Sequence, residues 1–205
     1  MKKILLGTAF LLTFLGGNAQ VSTIAGTGVP GYVDGAGSIA QFRNPNGMAV
    51  DKAGNIYVGD LNNHVIRKIT PAGVVTTFAG IMGVRGYQDG AATVAEFNEP
   101  WGLAIDNSDN IYVGDAKNNV IRKITPTGIV STLAGSRTPA FADGVGTSAS
   151  FDYPAAVGID LSGNIYVGDC NNQRVRKITP AGVVTTVAGS GFAGYANGAA
   201  STAQF

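Results

Sequence analysis

The sequence predicts an all-β fold, a propeller of four-stranded blades, and three observations carry that expectation. "IYVGD" starts at residues 56, 111 and 165, so its steps are 55 and 54. "VSTIAG", "VTTFAG", "VSTLAG" and "VTTVAG" start at residues 21, 75, 130 and 184, stepping by 54, 55 and 54. Glycine is abundant and helical periodicity is absent, which favours short strands joined by turns. A period held this closely marks a tandem array, whose units bury their faces only against each other.

Each unit reads as four strands. Strand a of the first unit is "GMAVD" (47–51), small and apolar enough for close packing. "KAGN" then turns the chain, with Gly54 free to take positive φ. Strand b is "IYVGD" (56–60), followed by the polar loop "LNNH" and by strand c, "VIRKIT" (65–70). "PAG" (71–73) is turn chemistry, its proline presetting φ. Strand d, "VVTTFAG" (74–80), is β-branched and alternating. A long loop leads to the next strand a. Such units in series are propeller blades, placed at about 47–80, 102–135 and 156–189, and a fourth repeat breaks off at 205.

The stretches "PNGMAVDKAGNIYVGDLNNHVIRKI", "PWGLAIDNSDNIYVGDAKNNVIRKI" and "PAAVGIDLSGNIYVGDCNNQRVRKI" resemble NHL repeats. They show the Pro-x-Gly start, the Asp-x-x-Gly-Asn turn, the Val-x-Asp strand and the Asn-x-x-Ile-Arg finish of that family. Asp109 stands at the turn glycine, Ala156 at the glycine after proline, and Val175 at the isoleucine. The resemblance implies a propeller, usually of six blades. In such a ring an N-terminal strand d completes the last blade. Here 183–189 already fills that place, so 21–26 is expected to be an orphan strand. The reading is therefore a fragment of a larger exported protein, with self-association of two three-bladed chains as the alternative.

The first residues carry a targeting pattern. Lys2 and Lys3 precede an apolar run from Ile4 to Leu15, and small residues follow at Gly17 and Ala19. This is a cleavable signal peptide, 1–19, cut after Ala19, and it places the protein outside the cell, in the periplasm or at the cell surface. Loss of Lys2 and Lys3 lowers Lys+Arg from 14 to 12 against 13 acidic residues, a net charge of −1. Such a chain is a poor partner for nucleic acid or for an anionic membrane. Cys170 is the only cysteine, so no internal disulfide forms.

Positions shared by all units are expected to serve the blade. Asp60, Asp115 and Asp169 close strand b, followed by Asn63, Asn118 and Asn172, then by Arg67, Arg122 and Arg176. The acids and amides are expected to bind local backbone, and the arginines to pair with a nearby carboxylate. Asp51, Asp106 and Asp160 build the a–b turn. Asp34, Asp89 and Asp143 stand alone among small residues, which suits a local Asx turn and not a calcium loop. Tyr32, Tyr87 and Phe141, with Phe42, Phe97 and Phe151, pack under the long loops.

Positions that vary on one face are where individual function can sit. The d–a and b–c loops share the channel mouth. Asn46, Trp101 and Ala155 follow the shared proline, and the b–c loops add Asn62, His64, Lys117, Asn119 and Gln173. These are the candidate contacts for a protein, peptide or glycan ligand, with Trp101, the only tryptophan, as the anchor. Arg85 and Arg137 are weaker candidates. Glu96 and Glu99, the only glutamates, offer a carboxylate pair. His64 is the only histidine, which excludes a multi-histidine zinc site or a self-contained histidine triad within the chain. No catalytic residue, metal or cofactor is expected. The alternative is part of a metal-dependent lactonase or lyase of propeller type, whose active-site residues lie in further blades.

Overall fold

The computed structural model describes residues 21–205, so the signal segment expected at 1–19 lies outside the described residues. Three antiparallel sheets follow one another along the chain. The first contains β1 (Gly35–Ala36), β2 (Pro45–Val50), β3 (Ile56–Asp60), β4 (Val65–Ile69) and β5 (Val74–Ala79). The second contains β6 (Gly90–Ala91), β7 (Pro100–Ile105), β8 (Ile111–Asp115), β9 (Val120–Ile124) and β10 (Ile129–Ala134). The third contains β11 (Gly144–Val145), β12 (Pro154–Ile159), β13 (Ile165–Asp169), β14 (Arg174–Ile178) and β15 (Val183–Ala188). The expected strands a to d are thus β2 to β5 and their counterparts.

Each sheet has a fifth strand that the sequence reading lacks. The order is β1-β5-β4-β3-β2, repeated as β6-β10-β9-β8-β7 and β11-β15-β14-β13-β12. The extra strand is two residues long and pairs Gly35 with Val75 and Ala36 with Val74 in the first sheet. The loop between blades therefore runs to the outer edge of the following blade, then back across it to the innermost strand. It stitches each blade to the next.

The segment 21–26, expected as an orphan strand d, is not a strand. Val21 is 96% exposed, and among the described residues no strand c lies beside it to complete a ladder. Its end still follows the repeat. Gly26 N–H donates to Gly37 O at 2.8 Å, as Gly80 N–H donates to Ala92 O at 2.9 Å.

The core lies between the sheets, as a stacked array requires. Tyr57, Ile66 and Ala79 of the first blade pack with Phe97, Leu103, Val113 and Ile124 of the second. Tyr112, Ile121 and Ala134 of the second pack with Phe151, Ile165, Val167 and Ile178 of the third. Near the axis the inner strands approach backbone to backbone. A Cβ at Gly47 would run into the Trp101 carbonyl, and one at Gly102 into the Ala155 carbonyl. Ala156, the counterpart in the third blade, is exposed.

Candidate functional site

The mouth of the propeller is built on a lattice that recurs in every blade. Arg122 is fully buried and donates from Nη1 to Asp115 Oδ2 at 2.8 Å and to the Glu96 carbonyl at 3.0 Å. Its Nη2 donates to Asp89 Oδ1 at 2.6 Å and to the Gln88 carbonyl at 2.7 Å. The guanidinium lies between the Tyr87 and Phe97 rings, 4.9 and 5.0 Å from their centroids. Arg67 pairs in the same way with Asp60 and Asp34, and Arg176 with Asp169 and Asp143.

This lattice corrects the reading of the long-loop aspartates as local Asx turns. Asp34, Asp89 and Asp143 each bridge a buried arginine to the backbone N–H of Thr77, Thr132 or Thr186 in strand d. A fully buried guanidinium demands counter-charge, and that demand outweighs a bond to a nearby amide. The arginines pair with carboxylates as expected, but the strand-b aspartates and the amides after them bind the long loop and not local backbone. Asp60, Asp115 and Asp169 accept the N–H of Arg43, Asn98 and Asp152, and Asn63, Asn118 and Asn172 donate to the carbonyls of Gly31, Gly86 and Ala140. Asp115 Oδ1 also accepts the Asn98 N–H at 2.8 Å, so one carboxylate ties strands b and c to the approach to strand a. Burial pushes the Asp115 carboxyl up to about 6, opposed by Arg122 and by the Asn118 amide.

The a–b turns at the other end behave as expected. Asp51 accepts the backbone N–H groups of Ala53 and Asn55, the Asn55 side-chain amide and the Tyr57 hydroxyl. Burial opposes its ionisation, yet these bonds hold Asp51 below the usual carboxylate range. Tyr57 and Tyr112 are pushed up to about 12, by burial first and then by the adjacent aspartates.

Over the lattice the blades differ. The residue before the shared proline is Asn44, Glu99 or Tyr153, and all three sit in the left-handed region, with φ of 61°, 57° and 59°. Such a conformation is disfavoured for a non-glycine residue, and above all before proline. Two of the predicted site residues hold it. His64 Nδ1 accepts the Glu99 N–H at 3.2 Å, and Asn119 Oδ1 accepts the Tyr153 N–H at 3.0 Å. Each clip crosses from one blade to the next. His64 and Asn119 are themselves left-handed residues at the end of a short 3₁₀ turn, which aims their side chains at the neighbour. Gln173 occupies the same place in the third blade, with φ of 52°.

At the second junction the variable residues gather. Tyr153 meets Trp101 edge-on, with ring centroids 5.5 Å apart and planes at 71°. The Tyr153 hydroxyl donates to Glu99 Oε2 at 3.0 Å, and Lys117 Nζ stands 5.4 Å from the Tyr153 ring centroid. Burial, then the Glu99 contact, pushes the Tyr153 hydroxyl up to about 12. The structure thus brings Trp101 and Lys117 together through Tyr153 and Glu99. Asn46 and Asn62 belong to the first blade's part of the rim, and Ala155 is 6% exposed beneath it. Glu99 and Glu96 do not share partners: the Glu96 side chain lies against Gly86. Arg85 is exposed, and Arg137 stacks on Tyr87 at 4.1 Å. Tyr153 escaped the sequence reading, which compared the residue after the proline. The residue before it varies just as strongly. Among the described residues no group of three or more His, Cys, Asp or Glu is placed to hold a metal ion.

Repeated four-stranded sheets stacked through their faces, with an extra edge strand from the connecting loop, define a β-propeller array. The family profile described as NHL repeat matches residues 42–69, 97–124 and 151–178, and the chain belongs to the NHL-repeat β-propeller family. It is similar to teneurin-3 of Mus musculus, 30% identical over 167 residues, which is 73% of this chain and 6% of that protein. It is 36% identical over 107 residues to NHL repeat-containing protein 2 of Gallus gallus, 50% of this chain and 15% of that one. The chain thus spans a small part of these relatives. The crystal structure of an auxiliary nutrient binding protein from Bacteroides thetaiotaomicron superposes with a TM-score of 0.58 at 24% identity, covering 68% of this chain and 36% of the other. That likeness is one of fold.

Proposed function

We propose that this chain is a non-catalytic recognition module, exported by its first nineteen residues, that binds a protein, peptide or glycan on the channel-mouth face. The observation that carries the reading is the contrast between levels of the mouth. The Asp–Arg–Asp lattice is the same in all three blades, whereas the rim above it differs and concentrates an indole, a phenol, a carboxylate and an ammonium at one junction. A site of this make-up suits anchoring of a ligand. The name of the Bacteroides nutrient-binding protein lends support by analogy of fold.

The test is retention of the labelled chain on arrays of soluble polysaccharides and extracellular peptides. The variant Trp101→Ala/Lys117→Ala should lose retention, and Asn107→Ala/Leu161→Ala, in the exposed a–b turns, should keep it. Loss in the turn variant alone would overturn the face assignment. Turnover of a lactone or a cyclic ester by the chain would overturn the non-catalytic reading in favour of the lactonase or lyase alternative.

A further inference from the structure

We propose that Trp101, Tyr153, Glu99 and Lys117 form a carbohydrate subsite that takes one neutral pyranose ring of a saccharide. The inference rests on the mouth-face reading and adds the ligand's chemistry to it. Tyr153 meets the half-buried Trp101 edge-on, at 71°, and so props the indole without itself stacking on its face. The axial C–H groups of a pyranose form an apolar face with slight positive charge, which matches the negative face of an indole.

A sugar ring also presents hydroxyls around its edge, each needing a donor or an acceptor. Both are at hand. Glu99 Oε2 is held by the Tyr153 hydroxyl at 3.0 Å, and Oε1 takes no hydrogen bond among the described residues. The Glu99 backbone is fixed in turn by His64. The carboxylate is therefore positioned before any ligand arrives, which lowers the ordering cost of binding. Lys117 is exposed beside the same tyrosine and brings ammonium donors. One carboxylate and one ammonium leave the shelf without net charge, which favours a neutral ring over an anionic or cationic one. Trp101, Glu99 and Tyr153 are half-buried and Lys117 is exposed, so the group lies at the surface of the rim.

Trp101 is the only tryptophan in the chain, so its emission reports on this position alone. The 205-residue chain is titrated with cello-, malto-, manno- and xylohexaose, and separately with a set of neutral peptides. At least one hexasaccharide should shift the emission saturably. Calorimetry with that sugar should show Trp101→Ala abolishing binding, Glu99→Gln weakening it about tenfold, as loss of a hydrogen bond to a charged group does, and Trp101→Phe retaining it. Melting curves of each variant guard against misfolding. If peptides move the emission and no saccharide does, the carbohydrate assignment fails while the mouth-face reading stands. If a saccharide binds equally to wild type, Trp101→Ala and Glu99→Gln, the ligand sits elsewhere and both fail. Silence with every saccharide overturns the subsite.

Discussion

At the junction of the first and second blades, a histidine nitrogen accepts the N–H of Glu99; at the next, an asparagine oxygen accepts the N–H of Tyr153. The two junctions share the same frame beneath these atoms. Both rest on a buried Asp–Arg–Asp lattice, both close on a glycine too near the next backbone to bear a Cβ, and both hold a left-handed residue before proline. They differ in whether the clip can take a proton. The backbone needs only an acceptor there, so the side chain that supplies it is free to vary, and with it the pH response of the junction.

The lattice should break first and equally in the two blades. Asp60→Ala and Asp115→Ala each take from a fully buried arginine the one of its two carboxylates that is itself fully buried, and each should cost about 3–5 kcal/mol by chemical denaturation. A clear inequality would show that the blades are less alike than their contacts. Arg122 carries one bond more, from Nε to Asp89, where Nε of Arg67 and of Arg176 is buried without a partner.

The close approach comes next. Gly47→Ala and Gly102→Ala force a Cβ against a carbonyl of the next inner strand and should cost about 1–3 kcal/mol, the usual range for overpacking. Ala156→Gly, in an exposed position of the third blade, should stay within about 0.5 kcal/mol.

The clips themselves are smaller. His64→Ala and Asn119→Ala each remove one acceptor from a backbone N–H, worth about 1 kcal/mol at neutral pH. The smallest effect is the most discriminating. Burial lowers the His64 pKa, with Glu99 raising it and Arg85 and Arg43 lowering it further. A neutral imidazole accepts the Glu99 N–H; a protonated one cannot. The contribution of this clip is therefore fully present above the ordinary histidine pKa of about 6.5 and is lost as pH falls through the lowered folded value. His64→Asn should remove that slope, and Asn119→His should create one at the second junction. Melting temperatures across the mildly acidic range check both.

The strands and the blade-holding role of the Asp and Arg series were legible in the sequence, because a period fixes them three times over. The fifth strand was not. Gly35–Ala36 is too short to show alternation, and its pairing is imposed by the loop's path across the blade. The partner of Asp89 was hidden for a related reason: Arg122 lies 33 residues away, and only the folded loop brings them together. At the rim the logic of comparing units was sound, but it looked only on the far side of the shared proline. Glu99 and Tyr153 stand before the proline, in a left-handed conformation that neither residue type announces.

The central claim is that the shared lattice holds the blades and the varied rim recognises the ligand. Amide hydrogen exchange of the chain, with and without its best array ligand, tests this most directly. The account predicts new protection at residues 98–101, 117–119 and 153–155. Protection confined to the a–b turns at 51–55, 106–110 and 160–164 would contradict it.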